Sequence, residues 1–271
     1  ENQEDEKVMK IAVVGKPNAG KSSLVNKLLG YNRSIVSDIA GTTRDAIDTP
    51  FKYNNKDYLL IDTAGIRKKS SIELESVEKY SIIRSLDAVR RADVVVAVVD
   101  SAAGLTEQDV KIIGFIHNEG KPSVIVMNKW DLVEKDTFTI NQFEEKLRTD
   151  ISFMDYYKSL YLSALTGKRV DKVIDTVEYV YGNATKRITT GILNDVLQDA
   201  VAVNEPPTKN GKRLKIYYAT QGAVNPPTFV VFVNDTRLMH FSYERYLENS
   251  LRKAFDFTGT PIKIILKSKS E

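Results

Sequence analysis

The sequence predicts an α/β protein in which a mostly parallel, six-stranded sheet with helices on both faces is followed by a small α+β domain. From Lys10 to about Gly182, short apolar runs alternate with amphipathic helical patterns, which is typical of a parallel sheet covered by helices. A glycine-rich loop directly follows the first of these runs. After Gly182 the order of elements changes, which indicates a second domain of a different class.

Five short apolar runs are predicted as strands that are buried on both faces. They are Lys10–Val14, Tyr58–Asp62, Val94–Asp100, Val124–Asn128 and Leu160–Ser163. The stretch Asp48–Asp62 turns at Asn54 and Asn55, which predicts a hairpin and one antiparallel edge strand. Between the strands, apolar residues recur at helical spacing. Two such stripes are formed by Leu24, Val25, Leu28 and Leu29, and by Ile82, Ile83, Leu86 and Val89.

The C-terminal segment predicts the order helix, strand, strand, helix, strand. Its first helix covers Ile192–Val201 and ends before Pro206, and Ser242 opens the second helix. The strands are predicted at Leu214–Ala219, Phe229–Val233 and Ile262–Leu266. We therefore predict a larger domain at residues 9–184 and a smaller one at 185–271.

The composition excludes several kinds of site. The 271 residues include no cysteine, which rules out disulfides and thiol catalysis and fits a reducing cytosol. Two histidines, His117 and His240, are too few for a typical histidine metal site. The longest apolar run, Val94–Val99, is far shorter than a membrane span, and the acidic start lacks the features of a signal peptide. We therefore expect a soluble, cytoplasmic protein without a membrane partner.

The net charge of +3 is divided unevenly along the chain. Residues 186–271 contain 13 Lys and Arg against 8 Asp and Glu, whereas the remainder is slightly acidic. This asymmetry favours an anionic partner, such as RNA, for the C-terminal part.

The glycine-rich loop lies between the first predicted strand and the first helix. Its residues, Gly15-Lys16-Pro17-Asn18-Ala19-Gly20-Lys21-Ser22, match the pattern G-x-x-x-x-G-K-[ST]. The glycines let backbone N–H groups point at phosphate oxygens, and the helix N-terminus adds partial positive charge. Lys21 is predicted to reach the β- and γ-phosphates and the Ser22 hydroxyl to bind Mg²⁺, with Ser23 included in the nucleotide site. The alternative is a glycine-rich turn that binds no ligand.

A second motif, Asp62-Thr63-Ala64-Gly65, ends a predicted strand. The Asp62 carboxylate can hold Mg²⁺ through water, and the Gly65 N–H can sense a γ-phosphate. A lone D-x-x-G usually marks a turn. Its position at a strand end downstream of the phosphate loop is what favours the nucleotide role.

Two further strand ends predict recognition of a guanine base. In Asn128-Lys129-Trp130-Asp131, the Asp131 carboxylate can accept hydrogen bonds from the N1–H and 2-amino groups of guanine, which adenine lacks. The Lys129 stem can cover the base, while Asn128 ties loops together. The tripeptide Ser163-Ala164-Leu165 would bring a backbone N–H to the guanine carbonyl. Trp130 is open to a purely packing role.

The segment Gly41-Thr42-Thr43-Arg44-Asp45 predicts a nucleotide-dependent switch. A threonine that completes the Mg²⁺ shell only when the γ-phosphate is present would couple the order of this loop to the nucleotide. Spacing alone does not choose between Thr42 and Thr43, and a solvated threonine turn is the alternative.

Taken together, these motifs resemble the Era-like GTPases and, within them, the Der (EngA) family of bacterial ribosome-assembly GTPases. The resemblance includes Asp62 to Lys68, Glu78-Lys79-Tyr80-Ser81 and Asn128 to Leu132, followed by a basic C-terminal domain. It implies GTP and GDP as ligands, Mg²⁺, and a P-loop GTPase domain followed by a KH-like domain. It also implies action in assembly of the large (50S) ribosomal subunit, with rRNA as a partner.

The family carries two GTPase domains in tandem, and this sequence matches the second of them together with the KH-like domain. The missing first GTPase domain would be an intramolecular partner, and residues 1–8 would be the acidic remnant of the linker. A chain that starts at Glu1, with its first methionine at Met9, is expected to be a piece of a longer protein.

The resemblance also assigns roles to single residues. It selects Thr43 as the Mg²⁺-binding switch threonine and places Ile66 where Ras-like enzymes have the glutamine that orients water. In related GTPases an asparagine matching Asn18 helps to hold a potassium ion that bridges the phosphates. The implied catalytic residues are Lys21, Thr43, Gly65 and Asn18, without a catalytic base.

The C-terminal domain departs from RNA-clamping KH domains, which use a GXXG loop. The nearest match, Gly222-Ala223-Val224-Asn225, lacks the second glycine and follows a predicted strand. The basic residues Lys209, Lys212, Arg213 and Lys215 would touch rRNA or form a solvated face.

Two other functions stay open at this point. One is another potassium-assisted Era-like GTPase that acts in tRNA modification or small-subunit maturation. The other is a nucleotide-gated RNA- or ribosome-binding module with negligible hydrolysis, which the isoleucine at position 66 keeps in play.

Overall fold

The structure is a computed structural model that describes residues 7–30, 48–67 and 76–269. Six strands form the larger sheet: β1 (Met9–Val14), β2 (Thr49–Tyr53), β3 (Lys56–Ile61), β4 (Val94–Asp100), β5 (Ser123–Asn128) and β6 (Ser159–Tyr161). Their order across the sheet is β2-β3-β1-β4-β5-β6. All neighbours are parallel except β2 and β3, which pair antiparallel through the turn at Asn54 and Asn55. Both asparagines have positive φ, as a tight hairpin turn requires.

Helices cover both faces of this sheet, as predicted. They are α1 (Lys21–Gly30), α2 (Thr63–Arg67), α3 (Ser76–Arg91), α4 (Glu107–Asn118), α5 (Thr139–Asp150) and α6 (Lys172–Ala184). On one face, Val94, Val96 and Val98 of β4 pack with side chains of α1 and α6. On the other face, Val95, Ala97 and Val99 pack with side chains of α3, α4 and α5. Burial on both sides explains why β4 is apolar without alternation.

A second, three-stranded sheet lies in the C-terminal part. It contains β9 (Ile216–Ala223), β10 (Thr228–Val233) and β11 (Lys263–Ser268), in the order β11-β10-β9, and it packs on α7 (Thr190–Val203) and α8 (Phe241–Ala254). The core between sheet and helices includes Leu193, Leu197, Phe229, Val231, Leu247 and Leu251. The predicted order of elements is confirmed, with a short added hairpin of β7 (Thr208–Lys209) and β8 (Lys212–Arg213). These two-residue strands are too short to leave a periodic pattern.

The start of α8 differs from the sequence prediction. The helix begins at Phe241, and the Nδ1 atom of His240 accepts a hydrogen bond from the Ser242 N–H at 3.2 Å. His240 therefore takes the capping role that was predicted for Ser242. The domain boundary predicted after residue 184 falls at the end of α6 and stays a prediction.

The loop around Gly259, between α8 and β11, contacts the larger domain. The N–H of Gly259 donates to the Tyr156 carbonyl at 2.7 Å, and the Gly259 carbonyl accepts from the Ser123 N–H at 2.8 Å. Gly259 has φ +83°, and a Cβ here would lie 2.2 Å from the Val180 Cγ1 atom. The loop therefore requires a glycine where it docks against the start of β5.

No helix within the described ranges has the length and apolar character needed to cross a membrane.

Candidate nucleotide-binding site

The loop between β1 and α1 needs both of its glycines for close packing. A Cβ on Gly15 would lie 2.5 Å from the Val98 carbonyl oxygen, and a Cβ on Gly20, where φ is +99°, would lie 2.1 Å from the Asn128 Nδ2 atom. Between them, Ala19 is fully buried, whereas Pro17 and Asn18 are exposed. The loop therefore packs closely against the ends of β4 and β5 and leads directly into the N-terminus of α1.

Lys21 is folded across the loop that precedes it. Its Nζ atom donates to the Gly15 and Lys16 carbonyls, both at 2.7 Å. Ser22 and Ser23 follow in the first turn of α1 and are exposed. The arrangement gathers an ammonium group, two hydroxyls and a helix N-terminus in one place, which is a donor set suited to phosphate.

The side chain of Lys16 points away from the loop, toward the start of α4. Its Nζ atom lies 3.4 Å from the buried Asp109 carboxylate and 3.4 Å from the Thr106 hydroxyl. Thr106 and Asp109 form a capping box at the start of α4. The loop is therefore anchored to α4 by an ion pair that the sequence analysis missed, although the spacing T-x-x-D was visible.

Asn128 joins the phosphate loop to the loop after β6. Its Nδ2 atom donates to the Ala19 carbonyl and its Oδ1 atom accepts from the Ala164 N–H, both at 2.9 Å. Asn128 is buried, so each of these bonds satisfies a backbone group that water does not reach.

Lys129 lies between the phosphate loop and the end of β4. Its Nζ atom donates to the Asn18 carbonyl and to the Asp100 carboxylate, both at 2.7 Å. Partial burial alone would raise the pKa of Asp100, but the hydrogen bonds from Lys129 and from the backbone N–H groups of Ala102 and Ala103 hold it below its ordinary value. The stem of Lys129 is thereby fixed beside the loop.

Asp131 is exposed, and its carboxylate makes no hydrogen bond or ion pair with the described residues. The neighbouring Trp130 is buried, and its ring centroid lies 5.1 Å from that of Phe143 and 4.7 Å from that of Tyr161. Trp130 thus packs in the core and anchors the short 3-10 turn Trp130–Leu132 that presents the aspartate.

In the tripeptide Ser163-Ala164-Leu165, two of the three backbone N–H groups are already hydrogen-bonded within the protein. The Ser163 N–H donates to the Lys168 carbonyl at 3.1 Å, and the Ala164 N–H donates to Asn128. Leu165 is exposed. Of the three backbone N–H groups, the Leu165 group is therefore the one that these contacts leave for a ligand.

Of the three predicted Mg²⁺ ligands, Ser22 and Asp62 lie among the described residues, and both contact protein groups. The Ser22 hydroxyl donates to the Ile66 carbonyl at 2.8 Å, and the Arg84 Nη2 atom lies 2.5 Å from Asp62 Oδ1. A hydroxyl and a carboxylate are oxygen donors of the kind that Mg²⁺ prefers. The residues therefore fit the ion, provided that these contacts exchange when it binds.

The strand end at Asp62 is held by groups that the sequence analysis missed. The Asp62 N–H donates to Asp48 Oδ1 at 2.9 Å, and Asp48 is paired with Arg91. Gly65 lies against the aspartate, because a Cβ there would be 3.0 Å from Asp62 Oδ2. Arg84 and Arg91 lie on one helix at a spacing of seven residues, which is two turns, but nothing in the sequence indicated their acidic partners.

The side chain of Ile66 is buried in the core with β1 and α1. It cannot orient water at the site. The segment 41–45, with both Thr42 and Thr43, lies outside the described residues, as do residues 1–6 of the predicted linker.

Comparisons with known proteins agree with this geometry. A model described as "50S ribosome-binding GTPase" matches residues 10–129, and one described as "KH-domain-like of EngA bacterial GTPase enzymes, C-terminal" matches residues 187–267. The solved structure of Era in complex with MgGDPNP and nucleotides 1506–1542 of 16S ribosomal RNA has the same fold, with a TM-score of 0.50 and 21% identity, covering 97% of this chain and 93% of that one.

Curated relatives cover nearly the whole chain. GTPase Der of Alkaliphilus metalliredigens is 56% identical over 98% of this chain, GTPase Der of Lachnoclostridium phytofermentans is 55% identical over 100%, and GTPase Der of Bacillus cereus is 54% identical over 98%. The chain spans 60%, 61% and 61% of the lengths of these relatives. By its similarity to these relatives over its whole length, the chain belongs to the Der (EngA) family, of which it contains a P-loop GTPase domain and the C-terminal KH-like domain.

Proposed function

We propose that this chain binds guanine nucleotides with Mg²⁺ and hydrolyses GTP to GDP and phosphate. The observation that supports this best is the position of Asn128, which ties the phosphate loop at Ala19 to the loop at Ala164. One buried amide thereby brings the phosphate-binding and base-binding segments together. Three residues later follows Asp131, whose carboxylate has no partner among the residues that the structure describes.

Base recognition rests on Asp131 and Leu165. The Asp131 carboxylate accepts hydrogen bonds from the N1–H and 2-amino groups of guanine, and the Leu165 N–H donates to the guanine carbonyl. The test compares binding of GDP and xanthosine diphosphate to the wild-type chain and to Asp131→Asn. The expected result is a switch of preference toward the xanthosine nucleotide, by more than about tenfold. An unchanged preference for GDP would refute the assignment, and Asp136→Asn, on the same loop, is the control.

The phosphates are bound by the loop N–H groups, the N-terminus of α1 and Lys21. The ammonium group of Lys21 exchanges the Gly15 and Lys16 carbonyls for phosphate oxygens. Ser22, Asp62 and Thr43 are the proposed Mg²⁺ ligands, and the bound ion would neutralise charge that develops on the γ-phosphate. The Gly65 N–H contacts the γ-phosphate.

Hydrolysis is an in-line attack of water on the γ-phosphate. One water oxygen forms a bond to phosphorus as the bond to the β-phosphate oxygen breaks, and inorganic phosphate carries away the protons that water brings. Because the Ile66 side chain is buried, it contributes nothing to this step. The charge must be stabilised by Lys21, by the loop and by cations.

Potassium is the proposed second cation, held in part by the exposed side chain of Asn18. Single-turnover hydrolysis of GTP in potassium and in sodium tests this role. We expect a rate at least about tenfold higher in potassium, and loss of that difference in Asn18→Ala. Equal rates in both salts would exclude potassium, and no turnover in either would leave a nucleotide-binding module.

We further propose that the intact protein acts in assembly of the 50S ribosomal subunit in the bacterial cytoplasm, through rRNA and together with an N-terminal GTPase domain. The family model that matches residues 10–129 supports this role. Residues 9–184 would form the nucleotide-dependent domain and residues 185–271 the KH-like domain. Co-sedimentation of the intact protein with separated subunits, with a GTP analogue and with GDP, tests the proposal. Binding to the large subunit is expected with the analogue, and binding to neither subunit would refute it.

A further inference from the structure

The three-stranded sheet of the C-terminal part has one face that the helices do not cover. Phe229, Val231 and Val233 of β10 point toward α7 and α8 and are buried. Because side chains alternate along a strand, the intervening residues point away from the helices. Strand pairing aligns them with residues of β9 and β11. This outer sheet face is formed by Tyr218, Thr220, Val230, Phe232, Lys263, Ile265 and Lys267. Tyr217 has no partner in the β9–β10 register, which shifts between Phe232 and Val233, and its ring lies beside the same lysine, Lys269, as the ring of Tyr218.

Aromatic rings occupy one end of the outer sheet face. The rings of Tyr218 and Phe232 are stacked, with centroids 4.5 Å apart and an interplanar angle of 17°. Tyr217 and Tyr218 remain 44% and 39% exposed, and the neighbouring Ile265 is 43% exposed. Aromatic rings kept partly in water on a sheet surface offer flat faces on which another planar group can stack.

Positive charge lies at the same end of the face as these rings. Lys267, which pairs with Phe232, is exposed on β11, and the Nζ atom of Lys269 lies 5.6 Å from the Tyr217 ring centroid and 5.9 Å from that of Tyr218. The three strands contain no Asp or Glu. A basic edge beside exposed rings is complementary to a polyanion whose units carry planar groups.

We propose that the outer sheet face binds single-stranded RNA, with bases stacked on Tyr217 and Tyr218 and phosphates near Lys267 and Lys269. The choice of RNA rests on the ribosomal role proposed above. A single strand is required because the bases of a duplex are already stacked inside the helix. This surface is distinct from a GXXG clamp.

The structure also favours the outer sheet face over the GXXG-like segment 222–225 as the binding surface. The segment 222–225, which is the nearest match to a GXXG loop, begins in β9 and is bonded to the end of α6, where the Asn225 N–H donates to the Ala184 carbonyl at 2.7 Å. A loop in that position is engaged within the chain. The lysines and tyrosines of the outer sheet face point elsewhere and are exposed.

Fluorescence anisotropy with a labelled ten-nucleotide RNA tests the proposal on the 271-residue chain without added nucleotide. The probes are this single-stranded RNA, the same RNA in a duplex, and single-stranded DNA of equal sequence. Tyr217→Leu combined with Tyr218→Leu keeps an apolar face but removes two rings. We expect the double variant to bind the single strand at least about tenfold more weakly. Phe241→Leu removes a largely exposed ring at the start of α8 and is the control.

The lysines are tested by salt dependence. Lys267→Gln combined with Lys269→Gln should weaken binding and lower the slope of log K against log salt by about 1.4, which is about 0.7 for each phosphate contact that a single strand loses. Lys253→Gln, at an exposed position on α8, should leave the slope unchanged. Circular dichroism of each variant establishes that it is folded.

Several outcomes would overturn the proposal. These are no binding of the RNA at low salt, equal binding of duplex and single strand, and an equal loss of affinity in Phe241→Leu. Tighter binding of DNA than of RNA would refute the choice of RNA. A tyrosine variant that binds RNA normally would refute stacking of bases on Tyr217 and Tyr218. None of these results depends on GTP hydrolysis, so this proposal and the enzymatic one fail separately.

Discussion

The proposed nucleotide site has a base half, residues 128–131 and 163–165, and a metal half, Ser22 and residues 62–66. These halves differ in how their functional side chains are partnered. In the base half, the Asn128 amide makes two hydrogen bonds to backbone groups, and Asp131 is left open to a ligand. In the metal half, the Ser22 hydroxyl contacts Ile66 and the Asp62 carboxylate contacts Arg84. The base half is therefore arranged to receive its ligand as it stands. The metal half must exchange protein contacts for ligand contacts.

The physical origin of this difference is the support that each half receives. The base half lies at the ends of β5 and β6, and the residues of β5 are buried throughout. The metal half depends on α2, which has five residues, and on an ion pair whose arginine is 43% exposed. Short helices and exposed pairs contribute little local stability. A ligand shifts a conformational equilibrium only through contacts that differ between the two conformations, so we propose that nucleotide sensing belongs to the metal half.

The largest effect is expected from removing the link within the base half. Asn128→Ala would leave the Ala19 carbonyl and the Ala164 N–H unpaired in a buried place. We expect the free energy of unfolding to fall by about 2–4 kcal/mol and GDP affinity to fall at least about tenfold. Urea unfolding and calorimetric titration with GDP measure both. The control is Asn141→Ala, at an exposed position on α5, and unchanged GDP affinity in Asn128→Ala would contradict the role of Asn128.

A smaller effect, opposite in sign, is expected in the metal half. Arg84→Ala removes the guanidinium that competes with a cation for the Asp62 carboxylate. The Mg²⁺ concentration that gives half-maximal tightening of GDP should fall about fivefold, because a partly exposed pair contributes about 1 kcal/mol at most. Titration of Mg²⁺ against bound fluorescent GDP measures it. Arg90→Ala, on the same helix but paired with Glu119, should change nothing. A higher Mg²⁺ requirement in Arg84→Ala would show that the pair assists the ion.

The smallest effect concerns pH. The Lys129 hydrogen bond and the neighbouring backbone N–H groups hold the pKa of Asp100 below its ordinary value. A carboxyl with a lowered folded-state pKa stabilises the fold above the unfolded-state pKa, and this contribution is lost as the pH falls through the folded-state value. Asp100→Asn should therefore cost about 1 kcal/mol at pH 7 and less near pH 3. Urea unfolding at both pH values tests this, with the exposed Asp87→Asn as the control. Equal losses at the two pH values would contradict it.

Much of the architecture could be predicted because it follows from local pattern. The apolar run at β4 predicted a doubly covered strand, and the pair Asn54-Asn55 predicted the hairpin. The short hairpin of β7 and β8 could not be predicted, because two-residue strands have no period. The cap at His240 was missed since Ser242 is the commoner capping residue.

Within the proposed site, the motifs predicted candidate residues but not how their side chains are partnered. The glycines, Lys21 and Asn128 belong to segments whose spacing carries chemical meaning. The partners Arg84 of Asp62 and Asp109 of Lys16 lie 22 and 93 residues away along the chain. No periodicity connects such positions, because they meet only when helices pack beside the loop.

By itself, the sequence determined the order of elements, the glycine-rich loop and the segments that we propose contact a nucleotide, because backbone conformation and burial act over a few residues. Only the tertiary structure decided that Asn128 holds the base half together, that Asp62 is paired with Arg84, and that tyrosines and lysines share one open sheet face. These facts depend on strand register and helix packing. Both are set by contacts between distant residues, which a local pattern does not encode.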